Sequence, residues 1–337
     1  MLEDGVAVET PSASGARRRI LRLGTVVLVL VAPLSVAESQ HPTKVFRIVE
    51  LNPGVPQDQQ KVFREALRAR GYVQGQNILI EDRFAGGSED RLREYAAEAV
   101  RLKVDVIVAV SSSAIRAATN ATKTIPVVGL DLESDPVASG FIASFARPGG
   151  NLTGIFVDLP ELTGKALELL KEAIPGIIRV ALLRDPALNP ALLPAAESSA
   201  RSLSLQLQTV EARRSSEFEG AFRAAVRGRN GALMVIPSPR FDRKLLVALA
   251  AKHRMPTTTI FPEYTDAGLL MSYGPNLYGL FSQAATYVDQ VLKGAKPGDL
   301  PVQRPVRFET VFNLKTGRAL GLTIPPALLL RADRVID

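Results

Sequence analysis

The sequence predicts an α/β protein with two doubly wound parallel-sheet lobes joined by a hinge that the chain crosses several times. Short apolar runs alternate with amphipathic stretches along the 337 residues, a pattern typical of parallel strands covered by helices on both faces. A chain of this length exceeds one ordinary core and suits two domains. Clusters rich in proline, glycine or polar residues at 149–154, 264–268 and 297–305 interrupt the pattern, and we predict that they are the crossings.

The first 37 residues have the three parts of a secretory signal. Arginines at positions 17–19 precede an apolar run at residues 25–32, and small residues follow at Ser35 and Ala37. The run is shorter than the ~20 residues that a membrane-spanning helix needs. We therefore predict that residues 1–37 are a signal peptide cleaved after Ala37, through the Sec or the twin-arginine route, and that the mature protein is periplasmic.

Residues 38–153 are predicted to form lobe 1. Apolar runs predict strands at residues 45–51, 78–84, 104–110 and 125–130, and amphipathic stretches predict helices at residues 57–70, 90–103 and 114–121. Strands that alternate with helices in this order predict right-handed crossovers in a parallel sheet.

Residues 154–265 are predicted to form lobe 2 with the same alternation. Strands are expected at residues 155–157, 179–183, 205–210, 231–236 and 255–261, and helices at residues 161–174, 195–203, 216–227 and 243–253. The helical stretch at 277–292 lies within residues 266–297, which we predict to return to lobe 1. The C-terminal residues 298–337 are predicted to return to lobe 2.

The candidate ligand site is predicted at the carboxyl ends of the strands, in the cleft between the lobes. Ser111 directly follows a buried strand and is predicted to cap the next helix, whose free N–H groups suit an anion. Asp131 or Asp185 would face a ligand ammonium. The candidates are Asn52, Ser111, Ser112, Ser113 and Asp131 in lobe 1, Asp185, Asn189 and Ser238 in lobe 2, and Tyr264 and Tyr273 beside a crossing. Taken singly, each aspartate is equally well read as a turn residue and each tyrosine as a core residue.

The residue inventory argues against several other classes of function. There is no cysteine, which excludes disulfides and thiolate sites. The two histidines, His41 and His253, leave little basis for a catalytic triad or a histidine metal site. The formal charge of +7 is spread along the chain and not clustered, and the sequence contains no known nucleic-acid-binding motif. We therefore predict a non-enzymatic protein with no cofactor, no metal and no nucleic-acid partner.

Several segments together carry a resemblance to a known family: "LKVDVIVAVSSSAIRAATNATKTIPVV", "ARPGGNLTG", "AGLLMSYGPN" and "NLKTGRALGLTIP". They resemble the substrate-binding proteins of bacterial ABC transporters, in the branch that includes tryptophan/tyrosine-type binding proteins. The resemblance covers nearly the whole mature chain. It implies a type I periplasmic-binding-protein fold that captures a small polar solute, such as an amino acid or a related carboxylate, and delivers it to a permease with a cytoplasmic ATPase.

The chain departs from that family pattern at two places in the candidate site. Relatives usually have Trp-Asn where this chain has Arg184-Asp185. Where this chain has Ser111-Ser112, the first residue of the pair is more often Gly or Thr in relatives. Because of these two departures, the resemblance does not identify the ligand. Two alternatives also stay open: a ligand sensor that partners a receptor, and an enzyme on a similar two-lobed fold, which the sparse catalytic inventory opposes. A repressor is disfavoured because no helix-turn-helix precedes lobe 1.

Overall fold

A computed structural model describes residues 44–131, 135–188 and 192–337. The predicted signal peptide lies outside the described residues and stays a prediction. Within those three ranges, no helix combines the length and the apolar character that crossing a bilayer requires. The two lobes belong to one compact unit of the chain.

Lobe 1 is built on a five-stranded parallel sheet with the strand order β2-β1-β3-β4-β5. Its elements are β1 (Phe46–Asn52), α1 (Gln59–Arg68), β2 (Ile78–Phe84), α2 (Glu89–Arg101), β3 (Val106–Val110), α3 (Ser111–Ala121), β4 (Val127–Asp131) and β5 (Leu152–Phe156). The strands β3, β4 and β5 are buried along their whole length, as expected for a sheet that is covered on both faces.

Lobe 2 is built on a seven-stranded sheet with the order β12-β11-β10-β9-β8-β6-β7. Its first elements are α4 (Leu159–Ala173), β6 (Arg179–Arg184), α5 (Leu192–Ser202), β7 (Gln206–Glu211), α6 (Phe218–Arg227), β8 (Ala232–Val235), α7 (Arg243–Lys252), β9 (Thr257–Thr259), α8 (Pro262–Asp266) and β10 (Met271–Gly274). After the long helix α9 (Leu277–Leu292) come β11 (Glu309–Asn313), α10 (Leu314–Leu320), α11 (Pro326–Arg331) and β12 (Arg334–Ile336). The pair β10–β11 is antiparallel, and the other pairs are parallel.

Helices cover both faces of each sheet, which confirms the predicted fold class. In lobe 1, α2 packs against α3, whereas α1 packs against α9. In lobe 2, α4 packs against α5, and α6 packs against α7. Helix α9 also contacts β3, β4 and β5, so the C-terminal part of the chain completes the cover of lobe 1. This arrangement leaves the carboxyl ends of both sheets available to a shared cleft.

The structure moves the first predicted boundary, because residues 152–156 belong to lobe 1. They form β5, which pairs with β4 in parallel register from Val127↔Leu152 to Asp131↔Phe156. This close pairing depends on Gly154, whose φ is +143° and where a Cβ would lie 2.0 Å from the carbonyl oxygen of Gly129. The chain therefore leaves lobe 1 after β5, just before α4, and not at residue 153.

The other two crossings also lie later than predicted. Residues 271–274 form β10, which is hydrogen-bonded between β9 and β11 in lobe 2, so the return to lobe 1 begins only with α9. Further on, Val302 N donates to Phe145 O at 2.8 Å, and Gln303 N donates to Gly154 O at 3.0 Å. These bonds keep residues 302–303 in lobe 1. Only from β11 onward does the C-terminal segment belong to lobe 2.

Candidate ligand site

Three candidate residues of lobe 1 lie at the ends of neighbouring strands. Asn52 ends β1, Ser111 follows β3, and Asp131 ends β4. The register of the sheet places these ends at one edge. Asp131 is wholly buried, and its Oδ2 accepts a hydrogen bond of 2.7 Å from Ser112 Oγ. Asn52 and Asp131, which are 79 positions apart in the sequence, thus lie at the same edge of the sheet, as expected for the carboxyl ends of parallel strands.

Ser111 does not cap helix α3 in the way we predicted. The helix begins at Ser111 itself, and the N-cap position is taken by Val110, which has no side chain that can accept a hydrogen bond. Ser111 Oγ lies 3.0 Å from Ser113 Oγ, and Ser111 has a φ of +80°. The first turn of α3 contains no acidic residue, so its N–H groups and positive dipole end suit an anion.

Replacing Ser111 by glycine is expected to stabilise the fold. A left-handed backbone strains any residue that has a Cβ, and relief of that strain outweighs the extra entropy of glycine in the unfolded chain. We expect Ser111→Gly to raise the free energy of unfolding by about 1 kcal/mol in urea titrations. The control Ala114→Gly, at a buried position inside the same helix, should lower it by at least about 1 kcal/mol through lost helix propensity and lost packing. Destabilisation by both variants would contradict this interpretation of the turn.

Asn52 belongs to a buried hydrogen-bond network that the sequence did not reveal. The network centres on Glu50, a wholly buried residue of β1. Glu50 Oε1 accepts hydrogen bonds from Gln60 Nε2 at 2.8 Å and from Asn52 Nδ2 at 3.4 Å. Asn52 Oδ1 in turn accepts from Gly54 N at 2.9 Å, and Gln60 Oε1 accepts from Gln57 N at 3.0 Å. Glu50 thereby holds both ends of residues 53–57, which we call the cleft loop.

The titration of Glu50 is expected to make stability depend on pH. Burial raises the pKa of Glu50 from 4.5 to about 7, and the hydrogen bond from Gln60 opposes this only in part. The folded protein thus holds the proton more tightly than the unfolded chain does. The contribution of protonated Glu50 to the free energy of unfolding is complete below the pKa of the unfolded chain. About 3 kcal/mol of stability is lost as the pH rises through 7.

Glu50→Gln mimics the protonated acid and should remove this pH dependence. In urea unfolding the variant should match the parent near pH 4.5 and exceed its free energy of unfolding by up to about 3 kcal/mol near pH 8. Glu94→Gln, at an exposed position of α2, serves as the control. If parent and Glu50→Gln lose stability in parallel between those two pH values, Glu50 is not the titrating group.

The lobe 2 face of the site is organised around Asp185, which is 1% exposed. Asp185 follows β6, and Ser238 lies just beyond the neighbouring strand β8. Ser238 Oγ donates to Asp185 Oδ2 at 2.9 Å, and Arg240 Nη1 lies 3.3 Å from the same oxygen. The backbone N–H of Ala187 donates to Oδ1 at 2.9 Å. Asp185 therefore fixes two loops of lobe 2. The remaining candidate of this lobe, Asn189, lies outside the described residues.

The two faces touch each other at the cleft loop. Gln57 Nε2 donates to Pro239 O at 3.4 Å. A Cβ at Gly54 would lie 1.7 Å from the same carbonyl oxygen. Between the lobes is a cavity of about 40 Å³ that Ser238, Tyr264 and Phe281 help to line, room for about three water molecules. The structure is thus a closed arrangement, in which only a glycine at position 54 fits.

The two candidate tyrosines lie in different places. Tyr264 is 3% exposed and lines the cavity between the lobes. Burial raises the pKa of its hydroxyl. Tyr273 instead stacks on Phe308 with ring centroids 6.0 Å apart and lines another cavity with Arg304. The structure therefore groups Tyr264 with Ser238 and does not bring Tyr273 to them.

Comparisons with known proteins bear on this site. The family described as ABC transporter substrate binding protein matches residues 45–336. The chain belongs to this family. A tyrosine-binding protein of Clostridioides difficile (strain R20291) is 27% identical over 267 residues, which cover 78% of this chain and 76% of that protein.

Solved structures show the same fold. A conserved domain protein of Vibrio cholerae O1 biovar El Tor strain N16961 is 25% identical with a TM-score of 0.76, covering 87% of this chain and 99% of that one. An ABC domain from Streptococcus pneumonia in complex with L-Trp is 22% identical with a TM-score of 0.75, covering 87% and 100%. The family match and these structures confirm the predicted family and the predicted type I periplasmic-binding-protein fold. Members of this family bind small-molecule solutes and work with a permease.

Arg184, which stands where relatives usually have Trp, has a partner within its own lobe in this substrate-binding protein. Arg184 ends β6 and pairs with Glu211 of the neighbouring strand, Nη1 to Oε1, at 3.1 Å. Its guanidinium charge is thus matched within lobe 2. Among the described residues, no group of three or more His, Cys, Asp or Glu side chains is arranged to hold a metal ion.

Proposed function

We propose that this protein is the extracytoplasmic solute-binding component of an ABC importer and that its solute is an α-amino acid. One observation carries the choice of solute. The N-terminus of α3 and the carboxylate of Asp131 lie side by side at the ends of β3 and β4, linked by the bond from Ser112. The helix end suits a carboxylate, and Asp131 suits an ammonium. An α-amino acid carries both groups on one carbon.

The apolar wall of the cleft favours an aromatic amino acid. Phe261, Tyr264 and Phe281 line the cavity between the lobes, and aromatic faces pack well against an aromatic side chain. The names of the tyrosine-binding relative and of the L-Trp complex agree with this choice. Because the closed cavity is only about 40 Å³, the lobes must part to admit such a ligand, as hinged binding proteins do.

The proposed partners are a membrane permease and its cytoplasmic ATPase, and the proposed location is the periplasm. The N-terminal pattern up to Ala37 and the family both support this location. We expect the N-terminus of protein recovered from its native host to begin after Ala37. An intact N-terminus on protein from the cytoplasm would contradict export.

Thermal shift and calorimetry across amino acids and sugars test the proposed solute. L-tyrosine or L-tryptophan at a hundred times its Kd should stabilise the protein by about 2.7 kcal/mol. Tyramine lacks the carboxylate and N-acetyl-L-tyrosine lacks the ammonium, so each should bind at least about tenfold more weakly than L-tyrosine. Binding of sugars alone, or equal binding of tyramine and L-tyrosine, would overturn the proposal.

A further inference from the structure

Two arginine side chains of lobe 2 reach across to carboxylates of lobe 1. Arg240 follows Ser238 and Pro239, and its Nη2 donates to Glu89 Oε1 at 3.0 Å. Arg243 begins α7, and its Nη2 donates to Asp58 Oδ2 at 2.8 Å. Glu89 begins α2 and Asp58 precedes α1. Both ion pairs therefore join the lobes beside the cleft loop.

In this closed arrangement the two arginines are largely buried, whereas the carboxylates are open to solvent. The side chains of Arg240 and Arg243 are 11% and 12% exposed, against 51% for Glu89 and 67% for Asp58. Arg240 also pairs with Asp185 of its own lobe. The Arg243 guanidinium lies 5.8 Å from the ring centroid of Tyr264, and its Nη2 donates to the Tyr278 hydroxyl of α9 at 3.3 Å. Lobe 2 thus fixes the Arg240 guanidinium through Asp185 and places that of Arg243 beside Tyr264. Lobe 1 meets both with carboxylates that are hydrated whenever the lobes part.

We propose that Arg240 and Arg243 are positioning residues of an electrostatic latch, formed with Glu89 and Asp58, that holds the lobes closed. The latch depends on motion of the lobes but not on which solute binds. Because both carboxylates are largely exposed, each pair contributes little and is screened by salt. The latch should therefore bias the ligand-free protein toward closure without locking it, and this bias should weaken at high ionic strength.

Spin-label distance measurements on the ligand-free protein test the latch. The sequence has no cysteine, so Glu94→Cys and Lys244→Cys, at exposed positions of α2 and α7, give one label on each lobe. In this otherwise parental protein, the closed-to-open ratio should fall as salt rises from about 0.05 M to about 1 M. Adding Glu89→Gln and Asp58→Asn should lower the low-salt ratio roughly two- to fivefold per pair and remove the salt dependence.

Two controls separate the latch from a general effect on the fold. Glu219→Gln removes a carboxylate that pairs with Lys252 inside lobe 2 and should leave the ratio unchanged. The conservative variant Glu89→Asp with Asp58→Glu keeps the charges and should keep the salt dependence. The latch is overturned if Glu89→Gln with Asp58→Asn behaves like the parent, or if the parent shows a single distance at every salt concentration. Because no solute is present, neither outcome bears on amino-acid binding.

Discussion

Gly54→Ala is expected to weaken ligand binding about ten- to a hundredfold while leaving the stability of each lobe nearly intact. In the closed arrangement the added Cβ would lie 1.7 Å from the carbonyl oxygen of Pro239 and 2.3 Å from its carbonyl carbon. Both atoms belong to the backbone of the opposite lobe and cannot rotate away. Overpacking of this kind costs about 1–3 kcal/mol, and here the cost falls on the closed state alone.

A comparison of binding and stability isolates the cause. The φ of Gly54 lies outside the left-handed region, so alanine is allowed by the backbone, and urea unfolding without ligand should change little. Gly220→Ala, in α6 with nothing within 4 Å of the added Cβ, should bind like the parent in calorimetry. Unchanged affinity of Gly54→Ala would show that the ligand is not held by closure of the cleft loop on Pro239.

Asp131→Asn is expected to weaken binding of an amino acid by a similar factor through loss of charge. Asparagine keeps an oxygen that can accept the bond from Ser112 Oγ, which now measures 2.7 Å, so the fold should tolerate the change. Loss of one charge-assisted hydrogen bond to the ammonium should cost about 1.5–3 kcal/mol, or ten- to a hundredfold in Kd.

The ligand series gives this variant its own control. N-acetyl-L-tyrosine has no ammonium, so parent and Asp131→Asn should bind it equally, whereas L-tyrosine should distinguish them. Asp105→Asn removes a carboxylate next to the amino end of β3, where it pairs with Lys44, and should leave both affinities unchanged. A variant that binds L-tyrosine as tightly as the parent would remove Asp131 from the site.

The elements that the sequence predicted best are those whose hydrophobic pattern is visible within the segment itself. The apolar runs of β3 and β4 and the periodic face of α9 specify their conformation by themselves, and the structure has all three. The position of β5 was misjudged because a long connecting segment separates it from its partner β4 and because the pairing depends on two glycines, Gly129 and Gly154. Crossings marked by proline and glycine were predicted near the right place but too early in the chain.

The candidate site shows the same division. The proximity of two residue pairs was predictable because parallel strands end at one edge of a sheet. These pairs are Ser112 with Asp131 and Asp185 with Ser238, and both are hydrogen-bonded. Arg240 and Glu50 were missed because their roles depend on partners that the local sequence does not show. The one available signal was a charged residue within the apolar run of β1, which in a strand buried on both faces implies a dedicated partner.

Small-angle scattering tests most directly whether the two lobes close on an amino acid. The protein from residue 38 onward is measured without ligand and with saturating amounts of the amino acid that calorimetry identifies. We predict a smaller radius of gyration with the ligand, because binding raises the closed fraction. For Gly54→Ala the radius should stay near the ligand-free value. Equal radii with and without saturating ligand in the parent protein would contradict it.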